Sequence, residues 1–312
     1  MSSKRSAGLA GAITLGVIPL LLVGCADPRG AAGQAAGTTA AGTTAASPMA
    51  AVLSTTSATP QPPRFDPADF THPARINNKW LPLVPGTQFT LDGQLVSDTG
   101  ELVPHRVVLT VTDLTKVIGG VRTVVLWDRD FNAGQLAEAE LAFEAQDNTG
   151  NVWNIGEYPE EYENGMFTGA PSTWINGVAG AKGGYGMLAA PAVGTPVYVQ
   201  GSVPAIKFLD YAQVSKTGQQ VCVRLGCYRD VLVVDEWSPL DPTSGHQLKY
   251  YAPGVGNIRI GAVGGEQQEF LEVTKIVHLS RNELAAARAA ALALDKHAYE
   301  VSKVYRGTAP AG

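Results

Sequence analysis

Cysteine and histidine are scarce in this chain, with three and five copies among 312 residues. The histidines, His72, His105, His246, His278 and His297, form no pair at helical or strand spacing, so nothing points to a zinc centre or a His-based triad. Nucleotide and acyl-transfer signatures are missing too. Gly180-Ala181-Lys182-Gly183 lacks the Gly-Lys-Ser/Thr of a phosphate loop, and the stretch around Ser172 lacks the second glycine of a nucleophile elbow. After residue 25 no run is long and apolar enough to cross a bilayer as a helix, which takes about 20 residues. Basic residues are outnumbered 23 to 28, for a formal charge of −5. Phosphate backbones need the opposite balance, so nucleic acid is not an expected partner. No metal and no cofactor is expected.

What is present begins at the N-terminus. Lys4 and Arg5 precede an apolar stretch, Leu9 to Val23, interrupted by Gly11, Thr14, Gly16 and Pro19. It is too short to span a bilayer and reads as a secretory signal. Leu22-Val23-Gly24-Cys25 then resembles the lipobox of bacterial lipoproteins. That resemblance implies cleavage before Cys25, acylation of Cys25 with diacylglycerol, and anchorage of the exported chain to the bacterial cell membrane through its N-terminal lipid. Two or more acyl chains hold a protein stably where one holds it marginally. Ala26 follows the cysteine, so an aspartate retention signal is absent there. Removing Lys4 and Arg5 leaves 21 basic against 28 acidic residues, a net of −7.

From Ala26 to Arg64 the chain is Ala, Gly, Thr, Ser and Pro with almost no charge, too little to offset the entropy of ordering. This segment is expected to be a disordered tether with ends roughly 35 Å apart. Export places Cys222 and Cys227 in an oxidising compartment, where an even pair suggests a disulfide across a tight turn at Gly226. The rival reading, metal binding, has no histidine or further cysteine beside it. So short a loop gives a disulfide little stabilising entropy.

The folded part begins near Phe65. Alternating, β-branched runs occur at Val107 to Thr112, Val121 to Trp127, Leu136 to Ala145 and Val152 to Ile155, separated by Gly119-Gly120, Asn132-Ala133-Gly134 and Asp147-Asn148-Thr149-Gly150. Short turn-rich links favour hairpins. Strand patterns resume at Val197 to Gln200, Val221 to Val223, Tyr228 to Val234, Gln247 to Tyr251, Asn257 to Ile260 and Glu269 to Val277. No βαβ spacing occurs, which speaks against a parallel nucleotide-binding sheet. Between these halves, Pro159 to Pro196 holds no clear period, is rich in Gly, and carries Phe167, Trp174, Tyr185 and Met187. It reads as a long functional loop. Ser280-Arg281-Asn282-Glu283 fits a capping box and opens a helix expected to run to Arg306, with Ala287, Ala291, Leu294, Ala298, Val301 and Tyr305 on one stripe. Packing on the sheet is the first reading of that stripe, and a protein partner of the helix is the second. The expected fold is mainly β: an antiparallel meander over 65–279 forming a barrel or half-barrel, closed by one C-terminal helix over 280–306.

Three motif groups sit in this frame: Ala145-Gln146-Asp147 with Gly150-Asn151-Val152-Trp153 and Gly156-Glu157; Thr173-Trp174-Ile175-Asn176-Gly177; and Lys249-Tyr250-Tyr251-Ala252-Pro253-Gly254-Val255-Gly256. Over residues 75 to 262 they resemble a group of exported bacterial proteins, often lipoproteins, with no assigned activity to carry over. Two positions depart from that group's pattern. Ala142 stands where an acidic residue is usual, and Ile206-Lys207-Phe208 where a Glu-Asp pair is usual. A cation site built from those acids would be lost here. The Tyr-Tyr-x-Pro-Gly-Val-Gly close is also similar to the end of exported half-barrel lipoproteins that carry hydrophobic ligands, an analogy of fold only.

Glu138, Glu140 and Glu144 share one strand face and Ala139, Leu141, Phe143 and Ala145 the other, the pattern of a half-buried strand with a solvated acidic face. Asp147 and Asn148 are explained by turn chemistry. Glu157, Glu160, Glu161 and Glu163 with Tyr158 and Tyr162 lead into the long loop; calcium favours such oxygens, but the spacing matches no EF-hand. Glu157, Tyr158, Trp174 and Tyr185 are the candidates to line a pocket for a small-molecule or glycan ligand, with aromatic faces supplying area and the acid orientation. The leading expectation is a non-enzymatic, membrane-tethered lipoprotein that binds a small or envelope-derived ligand. The alternatives are an envelope carbohydrate hydrolase using carboxylates such as Glu140 and Glu157, and a scaffold acting through its helix.

Overall fold

The structure is a computed structural model that describes residues 59–97, 99–266 and 268–312. Cys25, the signal segment 1–25 and tether residues 26–58 lie outside the described residues. Residues 59–64 carry no regular secondary structure.

After two short paired strands, β1 (Ile76–Asn77) and β2 (Pro82–Leu83), come five long ones: β3 (Thr87–Val96), β4 (Leu102–Ile118), β5 (Val121–Asn132), β6 (Gln135–Gln146) and β7 (Val152–Glu163). The short strands β8 (Met166–Gly169) and β9 (Trp174–Ile175) follow, then β10 (Lys182–Met187), β11 (Tyr198–Val203) and β12 (Phe208–Val223). The series ends with β13 (Gly226–Trp237), β14 (His246–Ala252), β15 (Gly256–Val263), β16 (Glu269–His278) and one helix, α1 (Arg281–Val301). Pairing runs β10 through β16 in order and then β3 through β7, and β10 pairs back to β7 through Gly184↔Asn154 and Tyr185↔Trp153. Twelve antiparallel strands therefore close a barrel, as the hairpin-rich pattern predicts, and closure removes the sheet edges.

The stretch Pro159 to Pro196 corrects the loop expectation. β7 continues through it to Glu163, β8 and β9 pair onto β7, and β10 is the strand that closes the barrel. Its composition, Lys-Gly-Gly-Tyr-Gly-Met, hides it because glycine weakens a strand pattern. The reason for glycine is space. A Cβ at Gly184 would sit 2.1 Å from the Val199 carbonyl oxygen, and one at Gly183 would sit 2.4 Å from that of Asn154.

Alternation gives this barrel two buried layers. All twelve strands send side chains into one inner cluster, among them Leu91, Val107, Leu126, Met187, Val234 and Ile260. The opposite face of β4 to β7 supplies Leu114, Val125, Leu141, Phe143, Ile155 and Tyr158 to an outer cluster, which Ala291, Leu294 and Ala298 of α1 cover. The helix stripe thus packs on the barrel. Ser280 caps it in a complete capping box, but the helix ends at Val301 rather than Arg306. Tyr305 leaves the stripe, sits in a 3-10 turn (Tyr305–Gly307), and donates from its hydroxyl to Asp295 at 2.6 Å. Under the helix, Lys116 Nζ is enclosed and donates to Asp295 at 2.9 Å, to Tyr299 at 2.8 Å and to the Ala309 carbonyl at 2.7 Å.

One barrel end is closed by the chain before β3. Ile76, Trp80 and Leu83 join the inner cluster. Asn78 Nδ2 donates to the carbonyls of Gly150 (2.9 Å) and Leu188 (3.1 Å), while Gly254 N donates to the Lys79 carbonyl at 2.7 Å. The segment is therefore tied to three separate strand connections and lies across the mouth as a plug. Cys222 and Cys227 are disulfide-bonded, directly opposite one another near the tip of the β12–β13 hairpin, with Cα atoms 3.9 Å apart.

Candidate functional site: the acidic lumen

The barrel interior is apolar beneath the plug and acidic beyond it. On β5, inward Val124 and Leu126 give way to Asp128 and Asp130. On β6 the inward residues are Glu138, Glu140, Ala142 and Glu144, because the alternate face, Ala139, Leu141 and Phe143, lies toward α1. The expectation of a solvated acidic face is overturned: Glu140 and Glu144 are each 1 % exposed. Alternation separates two faces of a strand, and here the apolar face is taken by the helix, so the acids point inward.

Register sets the acids against one another. Asp128 lies opposite Glu140, Asp130 opposite Glu138, and Glu138 opposite Glu161 on β7. Directly opposed side chains have Cβ atoms about 5 Å apart, where like charges repel. Removal from water disfavours ionisation first and mutual repulsion adds to it, so the carboxyls of Asp130, Glu138 and Glu140 are held well above the usual range. Burial likewise raises Asp128, to about 7, against the opposing pull of Arg129. Glu144 is raised well above its usual value as well, by burial and the nearby Glu157 charge.

Most buried polar groups in proteins are paired, and part of this lumen obeys. Glu157 accepts from Asn154 and, at 2.9 Å, from Trp174 Nε1. Lys249 Nζ meets Glu236 at 2.7 Å, and Gln200 Nε2 donates to Glu236 at 3.2 Å. His105 bridges Asn132 and Glu269 at 2.7 Å each; burial depresses its pKa, but the bond and charge of Glu269 outweigh that and raise it. The acid wall does not obey. Asp128 Oδ2, Asp130 Oδ2, Glu144 Oε2 and both carboxyl oxygens of Glu140 have no hydrogen-bond partner among the described residues. A cavity of about 50 Å³ lies beside them, lined by Leu81, Leu83, Leu109, Leu126, Asp128, Ala142, Glu144 and Lys249, with Tyr251 and Asn257.

The four predicted pocket residues are not brought together. Glu157 and Trp174 face inward, opposite each other in the β7–β9 pairing. Trp174 is stacked on Phe208 with ring centroids 6.0 Å apart and is 1 % exposed, so no ring face is free for a sugar. Tyr158 is in the outer cluster under the helix, its hydroxyl donating to Glu160 at 2.5 Å. Tyr185 packs edge-on against Trp153 at 4.7 Å. The acidic cluster after Glu157 is divided as well: Glu160 faces outward and binds Tyr158, Tyr162 and His297 of α1. For the hydrolase alternative, Glu140 and Glu157 do share the lumen, but at 1 % and 5 % exposure neither opens onto a cleft that a sugar chain could enter. Asp147 is a turn hub, as read: burial raises its carboxyl, but bonds from Trp153, Asn151 and Thr149 outweigh that and hold it low. Asp128 and Asp130 went unnoticed in the sequence; their spacing of two behind Val124 and Leu126 was the available signal.

No family model and no curated protein sequence matches the chain. Among solved structures it is similar to a predicted exported protein with a YmcC-like fold from Bacteroides fragilis NCTC 9343, at 15% identity over 64% of this chain and 99% of that one, TM-score 0.30. A predicted lipoprotein from Parabacteroides distasonis ATCC 8503 is similar at 12% identity over 64% of this chain and 100% of its own, TM-score 0.31. Likeness at these scores carries no argument, and the reading of the site rests on the chain's own geometry.

Proposed function

We propose that this protein is an exported lipoprotein, tethered to the bacterial membrane through acylated Cys25, whose barrel carries a small ligand in its lumen. One observation supports the carrier reading above the others: buried carboxyl oxygens without partners beside a cavity in a closed barrel. A protein interior that only needed to be stable would fill such positions with apolar side chains, since each unpaired buried polar group costs about 1–3 kcal/mol. The lipobox resemblance supports the anchor, and the apolar region under the plug suits a ligand with an aliphatic part.

The carrier reading is tested by native and denaturing mass spectrometry of the exported chain carrying Cys25→Ser, which keeps it water-soluble. A reproducible extra mass that vanishes on denaturation is expected. A bare mass, lacking only the two hydrogens of the disulfide, would overturn it. For the anchor, wild-type protein is expected to take up radiolabelled palmitate and Cys25→Ala is not; labelling of both would remove Cys25 from the account.

A further inference from the structure

The acid wall restricts the class of ligand. Asp128 Oδ2, Glu144 Oε2 and both oxygens of Glu140 have no hydrogen-bond partner among the described residues. Two kinds of cation supply what is missing. A divalent metal needs ligands converging on a point, six to eight oxygens for calcium, yet among the described residues no three His, Cys, Asp or Glu side chains converge in that way. The carboxyls are instead strung along β5 and β6, cross-strand in one direction and two residues apart in the other. A primary ammonium carries three donors on a compact head and can be held by two carboxyls. The lumen already holds one: Lys249 Nζ, 2 % exposed, is seated on Glu236 at 2.7 Å. Beyond Glu236, Lys249 also acts on Glu144, whose ionised form its charge favours.

The cavity fixes the rest of the molecule. Its polar lining is Asp128, Glu144, Lys249, Tyr251 and Asn257, and its apolar lining includes Leu81 and Leu83 of the plug with Leu109 and Leu126. At about 50 Å³, against the roughly 10–15 Å³ that one water needs, it admits an ammonium head and its first carbons. A longer chain would reach the plug leucines and displace them outward.

We propose that the lumen binds an aliphatic primary amine, its ammonium donating to Asp128 and Glu144 and its hydrocarbon lying against Leu81, Leu83, Leu109 and Leu126. This deepens the carrier reading and rests on it. The charged groups acting on Asp128 are Arg129, Glu269 and His105, and those acting on Glu144 are Glu157 and Lys249. Burial raises the carboxyls of both Asp128 and Glu144. An entering ammonium stabilises their ionised forms, so binding releases protons and strengthens as pH rises from 5 to 8, a range over which an alkylamine stays charged.

The test is titration calorimetry of the Cys25→Ser chain with n-butylammonium chloride, in buffers of different ionisation heat, beside n-butanol, sodium butyrate and calcium chloride. Butylammonium is expected to bind with proton release, and the other three are not. Glu144→Gln and Asp128→Asn are each expected to weaken binding about tenfold to a hundredfold, with near-ultraviolet circular dichroism confirming the fold. The exposed Glu283→Gln serves as the unchanged control. Proton release is read on the unsubstituted lumen, so the proposal remains testable if a variant fails to fold. Equal binding of butanol or butyrate would overturn the amine and leave the carrier reading standing. Calcium binding that displaces butylammonium would overturn it in favour of a metal. No binding of any probe, together with a bare native mass, would end both readings.

Discussion

Glu140 is a side chain on which stability turns. Its two carboxyl oxygens are enclosed and unpartnered, with Asp128 directly across and Glu138 and Ala142 on either side along its strand. A carboxyl whose pKa is higher in the fold than in the unfolded chain binds more protons folded than unfolded. Its contribution is full below the unfolded value, near 4, and is lost as pH rises through the folded value. For Asp128 that window ends at about 7, a loss on the order of 4 kcal/mol, and Glu138, Glu140 and Glu144 extend it upward. His105, also raised, acts in the same direction. The melting temperature is therefore expected to be higher at pH 5 than at pH 8. Glu140→Gln should raise it at pH 8 and leave it nearly unchanged at pH 5; a scan with melting flat across that range, or a maximum at pH 8, would contradict the assignment. Below pH 4 the trend reverses, because Asp147 and Asp92 are held low and lose their hydrogen-bonded forms on protonation.

Lys116 presents the opposite case, a buried charge with every donor placed. Removing it in Lys116→Met leaves Asp295 enclosed with only Tyr305 and the Ala311 amide as donors. Denaturant unfolding should show a loss of about 3–5 kcal/mol, the usual result of breaking one side of a buried pair. A loss under 1 kcal/mol would show that the clasp contributes little.

At the scale of elements, the helix is a wall of the barrel and not an appendage. Its stripe covers Leu141 and Phe143, both wholly buried, and Arg288 pairs with Asp113 outside. Ending the chain at Leu279 would bare that apolar face. The truncated protein is expected to bind the dye ANS and to aggregate on gel filtration, whereas a monodisperse truncated barrel would return the helix to a role in binding partners. The stripe itself was legible: alanines and Leu294 at spacings of three and four identify the buried side. Its end was not, because Val301 and Tyr305 keep the spacing although the helix stops and Tyr305 turns toward Asp295. Nor was β10 legible, since its glycines are demanded by the backbones of β7 and β11, whose approach is a matter of pairing and not of local sequence.

For the whole molecule, closure through β7 and β10 distinguishes a barrel from a half-barrel. Amide hydrogen exchange is expected to protect the β7–β10 pairs as strongly as those of β3–β4, because neither strand is an edge. Fast exchange confined to β7 and β10 would mean the seam is open. Most of the long strands, the antiparallel order, the C-terminal helix, the disulfide pair and the acids of β6 were determined by local pattern: alternation, turn residues, a capping box and two cysteines around a glycine. Which face of β6 looks inward was decided only in three dimensions. Alternation fixes that Glu140 and Leu141 oppose each other; it takes a helix on one side and eleven other strands on the other to settle which of them enters the lumen. The separation of Glu157 from Tyr158 has the same cause, as neighbours in a strand necessarily fall on opposite sides of the barrel wall.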